Sequence, residues 1–347
     1  MQEGQNSGQV RAGGAPSSIL CHNFELIISI DNLLCAWREF VKSKRNKRDV
    51  QEFELHLMDN LIELHNELAD HSYCHDSYHH FKICDPKPRD IHKASVRDRL
   101  LHHAIHRQLY PYFNKKFVAD SFSCRMNKGT HKAMDRFKSL AYKVSKNHTR
   151  TCWVLKCDIR KFFASIDHAI LKKILARNIS NQDTLWLLNN VVESFSTEGK
   201  VDTGLPLGNL TSQLLVNIYM NEFDQFVKRT LKIKHYIRYS DDFVILLDDR
   251  ESLVSLIEPI KEFLESNLAL TLHSDKLFLK TLTSGIDFLG WVHFSDHRVL
   301  RTNTKKRMLR NLADRQPSEA TVSSYLGMLK WGRTDKIKQT LANMRSI

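Results

Sequence analysis

The stretch RYSDDFVILL, residues 238–247, most constrains what this chain can fold into. Two adjacent aspartates stand between an aromatic, strand-like segment and five consecutive apolar residues, a pattern of strand, two-residue turn and strand. A lone Asp in a turn would need no explanation, because Asp is a common turn former. Adjacent carboxylates repel, however, and between hydrophobic strands at least one resists ionising unless a positive charge neutralises it. The hairpin therefore calls for a cation at Asp241 and Asp242.

A second carboxylate has the same setting. CWVLKCDI, residues 152–159, reads as a strand from its Trp, Val, Leu and Ile content; Asp158 stands at its end, and HAILKKILARNI after it has helical spacing. Hard divalent cations prefer carboxylate oxygens and take further ligands from substrate phosphates. Two such ions about 3.5–4 Å apart serve in-line phosphoryl displacement. Around this acidic centre the chain is basic: 52 Lys and Arg against 39 Asp and Glu, a net charge of +13, which favours a polyanionic partner. An acidic centre in a basic protein is the pattern of a nucleotidyl transferase.

The rest of the chain has the patterning of a large globular protein, with 42% hydrophobic residues. Leu33, Trp37, Phe40 and Val41 recur at helical spacing, and KSKRNKR (42–48) reads as a solvated loop. Phe53, Leu57, Leu61, Leu64 and Leu68 predict one helix of about five turns. YHHFKICDPKPRDIH (78–92) predicts a hairpin around Pro-Lys-Pro carrying Lys82, Lys87 and Arg89. RDRLLHHAIHRQLYPYF predicts a helix that stops near Pro111, and the Gly-Thr pair at 129–130 starts another. TGLPLGNLTSQ (203–213) is a turn-rich loop entering a helix with Leu215, Tyr219, Phe223 and Phe226 inward. Residues 254–268 read as a helix, IDFLGWVHF as a strand pair, and the chain from Arg301 as basic and helical, with Tyr325 and Trp331 as packing residues.

Seven scattered cysteines imply reduced thiols and a cytoplasmic protein. Cys74, His75, His79, His80 and Cys84 lack a Cys-x-x-Cys pair or a second His pair, so packing and surface roles are expected there rather than zinc. No apolar run reaches the roughly 20 residues a membrane span needs, and the N-terminus has no hydrophobic signal core. A soluble chain with a disordered tail over residues 1–23 is expected.

Tyr239-Ser240-Asp241-Asp242 resembles the Y-x-D-D motif of reverse transcriptases. DIRKFFASIDH (158–168) resembles their first palm motif, GLPLGNLTSQ the second, Lys276 in HSDKLFL the fourth, and Phe288-Leu289-Gly290-Trp291 the primer grip, all in the family's order. The resemblance covers roughly residues 24–335. It implies an α+β right-hand polymerase: a tail over 1–23, N-terminal helices and fingers over 24–150, a palm of antiparallel sheet and helices over 151–295 with a helical insertion around 168–203, and a short helical thumb over 296–347. It implies two magnesium ions, with manganese as a substitute, held by Asp158, Asp241, Asp242 and the backbone carbonyl of Ile159. Phe163 matches the ring that clashes with a ribose 2′-hydroxyl; Lys87 and Arg89, with Lys82 as a competing candidate, match residues that hold the triphosphate; Leu207, Gly208 and Lys276 complete the nucleotide site. Tyr239, Ser240 and residues 288–291 match primer contacts. The basic thumb residues Arg301, Lys305, Lys306, Arg307, Arg310 and Arg315 are placed to track hybrid phosphates.

Most such families carry Gln-Gly and Ser-Pro in the second motif, where this chain has Leu207-Gly208 and Ser212-Gln213. That departure, with DPKPRDI, DRLLHHAI and NKGTHKA, is similar to the reverse transcriptases of diversity-generating retroelements. In that group the apolar residue goes with error-prone copying of template adenines. The resemblance implies an element-encoded template RNA, an RNA:DNA hybrid, deoxynucleotides and a small basic accessory protein that forms a ring. Defence-associated bacterial enzymes, which use a structured noncoding RNA, share much of the motif set and stay open as an alternative. A non-catalytic, maturase-like RNA-binding protein fits less well with the intact carboxylates, and an RNA-dependent RNA polymerase less well with Phe163. The short segment after Trp291 leaves no room in this sequence for a nuclease or integrase domain.

Overall fold

Three short strands buried along most of their length carry the carboxylates at the middle of this chain. The computed structural model describes residues 24–84, 88–313 and 318–339. The chain opens with helices α1 (Phe24–Ile28), α2 (Ile30–Phe40), α3 (Arg48–Leu55) and α4 (Leu57–Ala69). A two-stranded ribbon follows, β1 (His79–Ile83) with β2 (Arg89–Lys93), then α5 (Val96–Lys116) and α6 (Thr130–Val144). Next come β3 (Trp153–Asp158), α7 (His168–Asn178), α8 (Gln182–Glu193), α9 (Leu210–Gln225), β4 (Tyr236–Tyr239) and β5 (Asp242–Leu247). The rest comprises α10 (Arg250–Ser255), α11 (Ile257–Leu268), β6 (Phe278–Thr281), β7 (Ile286–Phe288), β8 (Trp291–His293), β9 (Arg298–Leu300), α12 (Thr302–Ala313) and α13 (Glu319–Leu329).

The central sheet has the order β4-β5-β3-β6, antiparallel throughout. Side chains alternate across a strand, and here both faces are buried. Leu155, Cys157, Phe243, Ile245 and Tyr236 face a core shared with α5, α9 and α11, while Val154, Val244, Leu246 and Ile237 face a second core with α6 and Phe288. Burial on both faces is why residues 243–247 read as an unbroken apolar run rather than an alternating one. A separate sheet, β7-β8-β9, packs beside α6 and leads into α12 and α13.

Three expectations change. The helix expected over Phe53 to Leu68 is two helices, broken at His56, which takes φ −117° and ψ 34°. Leu61, Leu64 and Leu68 are buried, whereas Phe53 and Leu57 only flank that core from either side of the break. The helix expected to stop near Pro111 runs on to Lys116 with Pro111 inside it. Proline removes one helical hydrogen bond, but Leu109, Tyr110 and Phe113 are buried around it, and that burial carries the helix through. Residues 254–268 likewise divide, into α10 and α11. The expected tail, Lys87, Arg315 and the end of the expected thumb from residue 340 lie outside the described residues.

One polar contact joins the central hairpin to its covering helix. Arg238 is 0% exposed, on the face of β4 that meets α9. Its Nε and Nη2 donate to the two carboxylate oxygens of Asp224 at 2.8 and 2.7 Å, and the Tyr236 hydroxyl donates to the same carboxylate at 2.6 Å. Burial works against the Arg238 charge, yet Asp224 outweighs it and keeps the guanidinium above its ordinary range. Removing one partner of such a pair leaves an uncompensated buried charge, at about 3–5 kcal/mol. Arg238→Met should destabilise the fold by roughly that amount in urea titrations, and Arg238→Met with Asp224→Leu should recover most of the loss. A double variant as unstable as the single one would show that the pair stabilises the hairpin by more than mutual neutralisation.

Candidate active site

The strand period puts Lys156 and Asp158 on one face of β3, and the register sets Asp158 directly opposite Asp242 on β5. Tyr239 pairs with Asp242, so Ser240 and Asp241 alone form the turn. Ser240 has φ +60°, a left-handed conformation that favours glycine and costs on the order of 1–3 kcal/mol for other residues. Arg238 offsets part of that cost by donating from Nη1 to the Ser240 carbonyl at 3.0 Å. The Asp241 carbonyl accepts from the Ile159 N–H at 3.2 Å, tying the turn to the end of β3. The three carboxylates expected from sequence are thus carried by one sheet edge and one turn.

Lysines meet two of these carboxylates. Lys276 donates to Asp158 Oδ1 at 2.7 Å, and Lys156 Nζ lies 3.3 Å from Asp242 Oδ2. The other oxygen of Asp242, Oδ1, is buried with no hydrogen-bond partner. Burial pushes Asp242 up to about 7, with Asp158 and Asp241 adding to the rise and Lys156 opposing it. Asp241 is raised as well, by burial first and then by Asp158. Among the described residues no three His, Cys, Asp or Glu side chains are already gathered as a cation cage. The donor set nevertheless suits hard divalent ions: carboxylates that repel one another, one orphaned carboxylate oxygen, and two cationic side chains already drawn to them.

The other expected residues fall around this centre. Phe163 follows β3 in a short 3₁₀ turn, half-buried against the buried Phe162 at 5.5 Å between ring centroids. Its carbonyl accepts from the Leu205 N–H at 2.8 Å, which brings the 203–209 loop alongside. Leu207 is half-buried and its carbonyl accepts from the His92 N–H at 3.4 Å. Gly208 has φ +106°, and a Cβ there would stand 3.5 Å from Ile91. Arg89 is exposed at the start of β2, opposite Ile83; Lys82, also exposed, lies 4.0 Å from Asp90.

Phe288, Leu289, Gly290 and Trp291 form the β7-β8 hairpin. Phe288 pairs with Trp291, both are buried, and Leu289 and Gly290 in the two-residue turn have φ +52° and +85°, the backbone of a type I′ turn. The Tyr239 hydroxyl accepts from Thr130, and Tyr239 and Leu289 both pack against the core that includes Phe137 and Phe288. Arg301 is held by Asp287 through Nε at 2.8 Å, while Lys305 and Lys306 are exposed on α12. Tyr325 and Trp331 are packing residues as expected; Trp331 stacks on His131 at 3.7 Å between centroids. His75, from the Cys/His stretch, has a buried side chain near Asp98, while Cys74 and Cys84 are exposed free cysteines.

Two contributors escaped the sequence reading. Lys156 had a legible signal, a charge within an apolar strand two residues before Asp158. It bridges further, donating to the Asp287 carbonyl at 2.8 Å and so linking the carboxylates to the 286–293 hairpin. Arg238 gave the same kind of signal, but its partner Asp224 lies on another element and no spacing rule points to it.

Residues 85–293, more than half of the chain, match the family described as reverse transcriptase (RNA-dependent DNA polymerase). The chain belongs to the reverse transcriptase family. Among curated proteins it is similar to Protein YkfC of Escherichia coli (strain K12), 26% identical over 259 residues that make up 63% of this chain and 65% of that protein. It is also similar to the group II intron-encoded protein LtrA of Lactococcus lactis subsp. cremoris, 22% identical over 64% of this chain and 46% of that protein. The chain thus spans less than two thirds of the length of either relative. A solved structure of telomerase from Candida albicans with a fragment of telomeric RNA superposes with a TM-score of 0.50 at 10% identity, over 65% of this chain and 46% of that one. The likeness places the reverse transcriptase chain in the right-hand polymerase fold. No helix among the described residues is long and apolar enough to cross a membrane.

Asp242 carries a pH signature. In the folded chain it holds its proton up to about 7, against an ordinary value of 3.8, so over that interval the native state binds more protons than the unfolded one. Stability therefore falls as pH rises through the interval. In buffer with chelator, Asp242→Asn should flatten this component and stabilise the protein at pH 7.5 by on the order of 1 kcal/mol in urea titrations. A wild type minus variant difference that does not change between pH 4.5 and 7.5 would contradict the assignment.

Proposed function

We propose that this reverse transcriptase is an RNA-directed DNA polymerase that extends a primer 3′ end with deoxynucleotides on an RNA template. The observation that carries the reading is the juxtaposition of Asp158 and Asp242 across neighbouring strands with Asp241 in the adjoining turn. In this reading residues 24–150 are N-terminal helices and fingers, 151–295 the palm and 296–347 the thumb. Asp158, Asp241, Asp242 and the Ile159 carbonyl would hold two magnesium ions. When bound, such ions activate the attacking oxygen and neutralise the leaving phosphate.

The chain's own residues do the positioning. The Arg238 contact fixes the Ser240 carbonyl and hence the turn that presents Asp241 and Asp242. Lys276 and Lys156 hold Asp158 and Asp242 in place before substrate arrives. Phe163, anchored through Leu205, is the ring that excludes a 2′-hydroxyl by clash. Arg89, with Lys87 or Lys82, binds the triphosphate, where charge builds in the transition state. The 288–291 turn holds the primer terminus, and Arg301, Lys305 and Lys306 follow the hybrid's phosphates.

The finer role we infer is diversification by a retroelement, with a template RNA encoded by the same element and a small basic accessory protein forming a ring. Leu207 supports it: an aliphatic side chain beside the nucleotide site replaces an amide that would hydrogen-bond, which weakens discrimination against mispairs.

Purified protein with a primed RNA template and magnesium should incorporate deoxynucleotides. Asp241→Asn with Asp242→Asn should lower the rate by at least about 10³-fold, as loss of a principal electrostatic element does, and chelation should abolish it. Incorporation by the double variant at the wild-type rate would end the polymerase reading. Leu207→Gln should reduce misincorporation opposite template adenine several-fold in sequenced cDNA, and an unchanged error spectrum would remove the role given to Leu207.

A further inference from the structure

A sharp reversal of charge marks the outer face of the N-terminal helices. Residues 49–81 hold eight Asp and Glu but no Lys or Arg, the longest such run in a chain of net charge +13. α3 and α4 lie within or across this run. α4 buries Leu61, Leu64 and Leu68 in the main core and packs on α1 and α2. The strip of α4 beside that buried face carries Met58 and Ile62 about one turn apart, each 47% exposed, and Leu55 at the end of α3 is 80% exposed. Nowhere else among the described residues do three large hydrophobics stand exposed within eight positions. The next strip around α4 is polar and acidic, with Asp59, Glu63, Asn66 and Asp70 all exposed.

Much of the acidic charge in the run is already matched. Asp49 pairs with Lys93 and Arg99, Glu52 with Arg48, Glu54 with Arg45 and Glu67 with Arg97. Asp59, Glu63 and Asp70 have no Lys or Arg partner among the described residues, and with Ile62 they line an open groove of about 510 Å³. Exposed apolar residues rimmed by polar ones mark interaction surfaces. Here the rim carries unmatched negative charge.

That charge selects the occupant. Carboxylates repel RNA and anionic lipid at the short range that salt leaves unscreened. The chain's own residues 1–23 carry one Arg and one Glu, so they have no positive surplus to offer. A basic protein that presents an amphipathic helix meets both features: its apolar residues cover Leu55, Met58 and Ile62, and its Lys or Arg side chains meet Asp59, Glu63 and Asp70. The place suits a tethered partner. α4 packs on α1 and α2, these pack on α5, and α5 packs on α9 over the central sheet, so the face lies outside the layers that cover the carboxylates.

We propose that the ridge of Leu55, Met58 and Ile62, with the acidic strip beside it, is the docking face for a basic partner protein bound through an amphipathic helix. Held there, the partner supplies positive surface where residues 49–81 supply none. The face stands on these residues alone; only its assignment to the basic accessory protein rests on the diversification reading above.

The probe is a fluorescent helical peptide of about five turns, Leu on one face and Lys on the other, with a control peptide carrying Glu in place of Lys. The full chain should bind the Lys peptide. Met58→Ser with Ile62→Ser, and separately Asp59→Lys with Glu63→Lys, should each weaken that binding by roughly tenfold or more. A benzophenone on the apolar face of the peptide should cross-link to residues 55–70. Equal binding by wild type and both variants, equal binding of the two peptides, or a cross-link outside 55–70 would overturn the proposal. So would a dimer of the chain in sedimentation that Asp59→Lys with Glu63→Lys dissolves, since the occupant would then be a second copy. If Leu207→Gln leaves the error spectrum unchanged while the peptide results hold, the diversification reading fails and the docking face stands.

Discussion

The buried pair between Arg238 and Asp224 is the constraint on which the site depends. An ion pair taken wholly out of water rarely adds net stability over apolar residues of similar volume, so its presence in the middle of the main core calls for another reason. The geometry supplies one. The same guanidinium that satisfies Asp224 also reaches Asn217 on α9 and Ser121 before α6, and spends its remaining donor on the Ser240 carbonyl. Apolar residues could fill that volume, but none would hold a strained turn by its backbone oxygen. Asp241 and Asp242 are thereby aimed by a wholly buried group.

The carboxylates themselves are frustrated, and the frustration is balanced locally. Two lysines from different elements, one on β3 and one before β6, lie against Asp158 and Asp242. Neither neutralises the cluster: Asp242 stays near 7 and keeps an orphaned oxygen. A fold optimised for stability alone would replace these groups, and the residual repulsion is what the proposed cations would relieve. Lys156 also carries this balance outward. Through the Asp287 carbonyl it meets the 286–293 hairpin, and Asp287 in turn holds Arg301 at the start of α12. Charge at the carboxylates is therefore mechanically tied to the elements read as primer grip and thumb.

How much of this was legible in the sequence depends on whether the information was local. The strands at 153–158 and 242–247, the two-residue turn, α6 starting after Gly129 and the β1-β2 hairpin all follow from short-range pattern, and they were readable. The carboxylate triad was readable too, because three acids at the ends of apolar strands violate the usual hydrophobic pattern. Breaks inside helical runs were not: His56 interrupts an apolar stripe that by spacing alone looks continuous, and Pro111 fails to interrupt one that by propensity should end. At Pro111 the burial of Leu109, Tyr110 and Phe113 overrides the local rule. β6 and β9 were missed because each is only a few residues long, held by pairing rather than by composition. The partner of Arg238 was invisible for the most basic reason: Asp224 lies in a helix, fourteen residues away, and only packing brings the two together.

The 203–209 loop shows how these levels combine. By composition it is a turn, and by resemblance it is a nucleotide-site motif, but neither explains why a loop this close to catalysis should be well ordered. Its backbone is held from two directions: the Leu205 N–H bonds to the Phe163 carbonyl next to β3, and the Leu207 carbonyl takes the His92 N–H of β2. The Asn209 side chain adds a bond to the His92 carbonyl at 3.2 Å. The loop thus bridges the sheet that carries Asp158 to the ribbon that carries Arg89. Substituting an aliphatic side chain for a polar one at Leu207 leaves all these backbone bonds intact, so the loop can lose a hydrogen bond to nucleotide or template without losing its position. The relaxed discrimination proposed for Leu207 and the preserved architecture are then compatible, because they reside in different parts of the same residue.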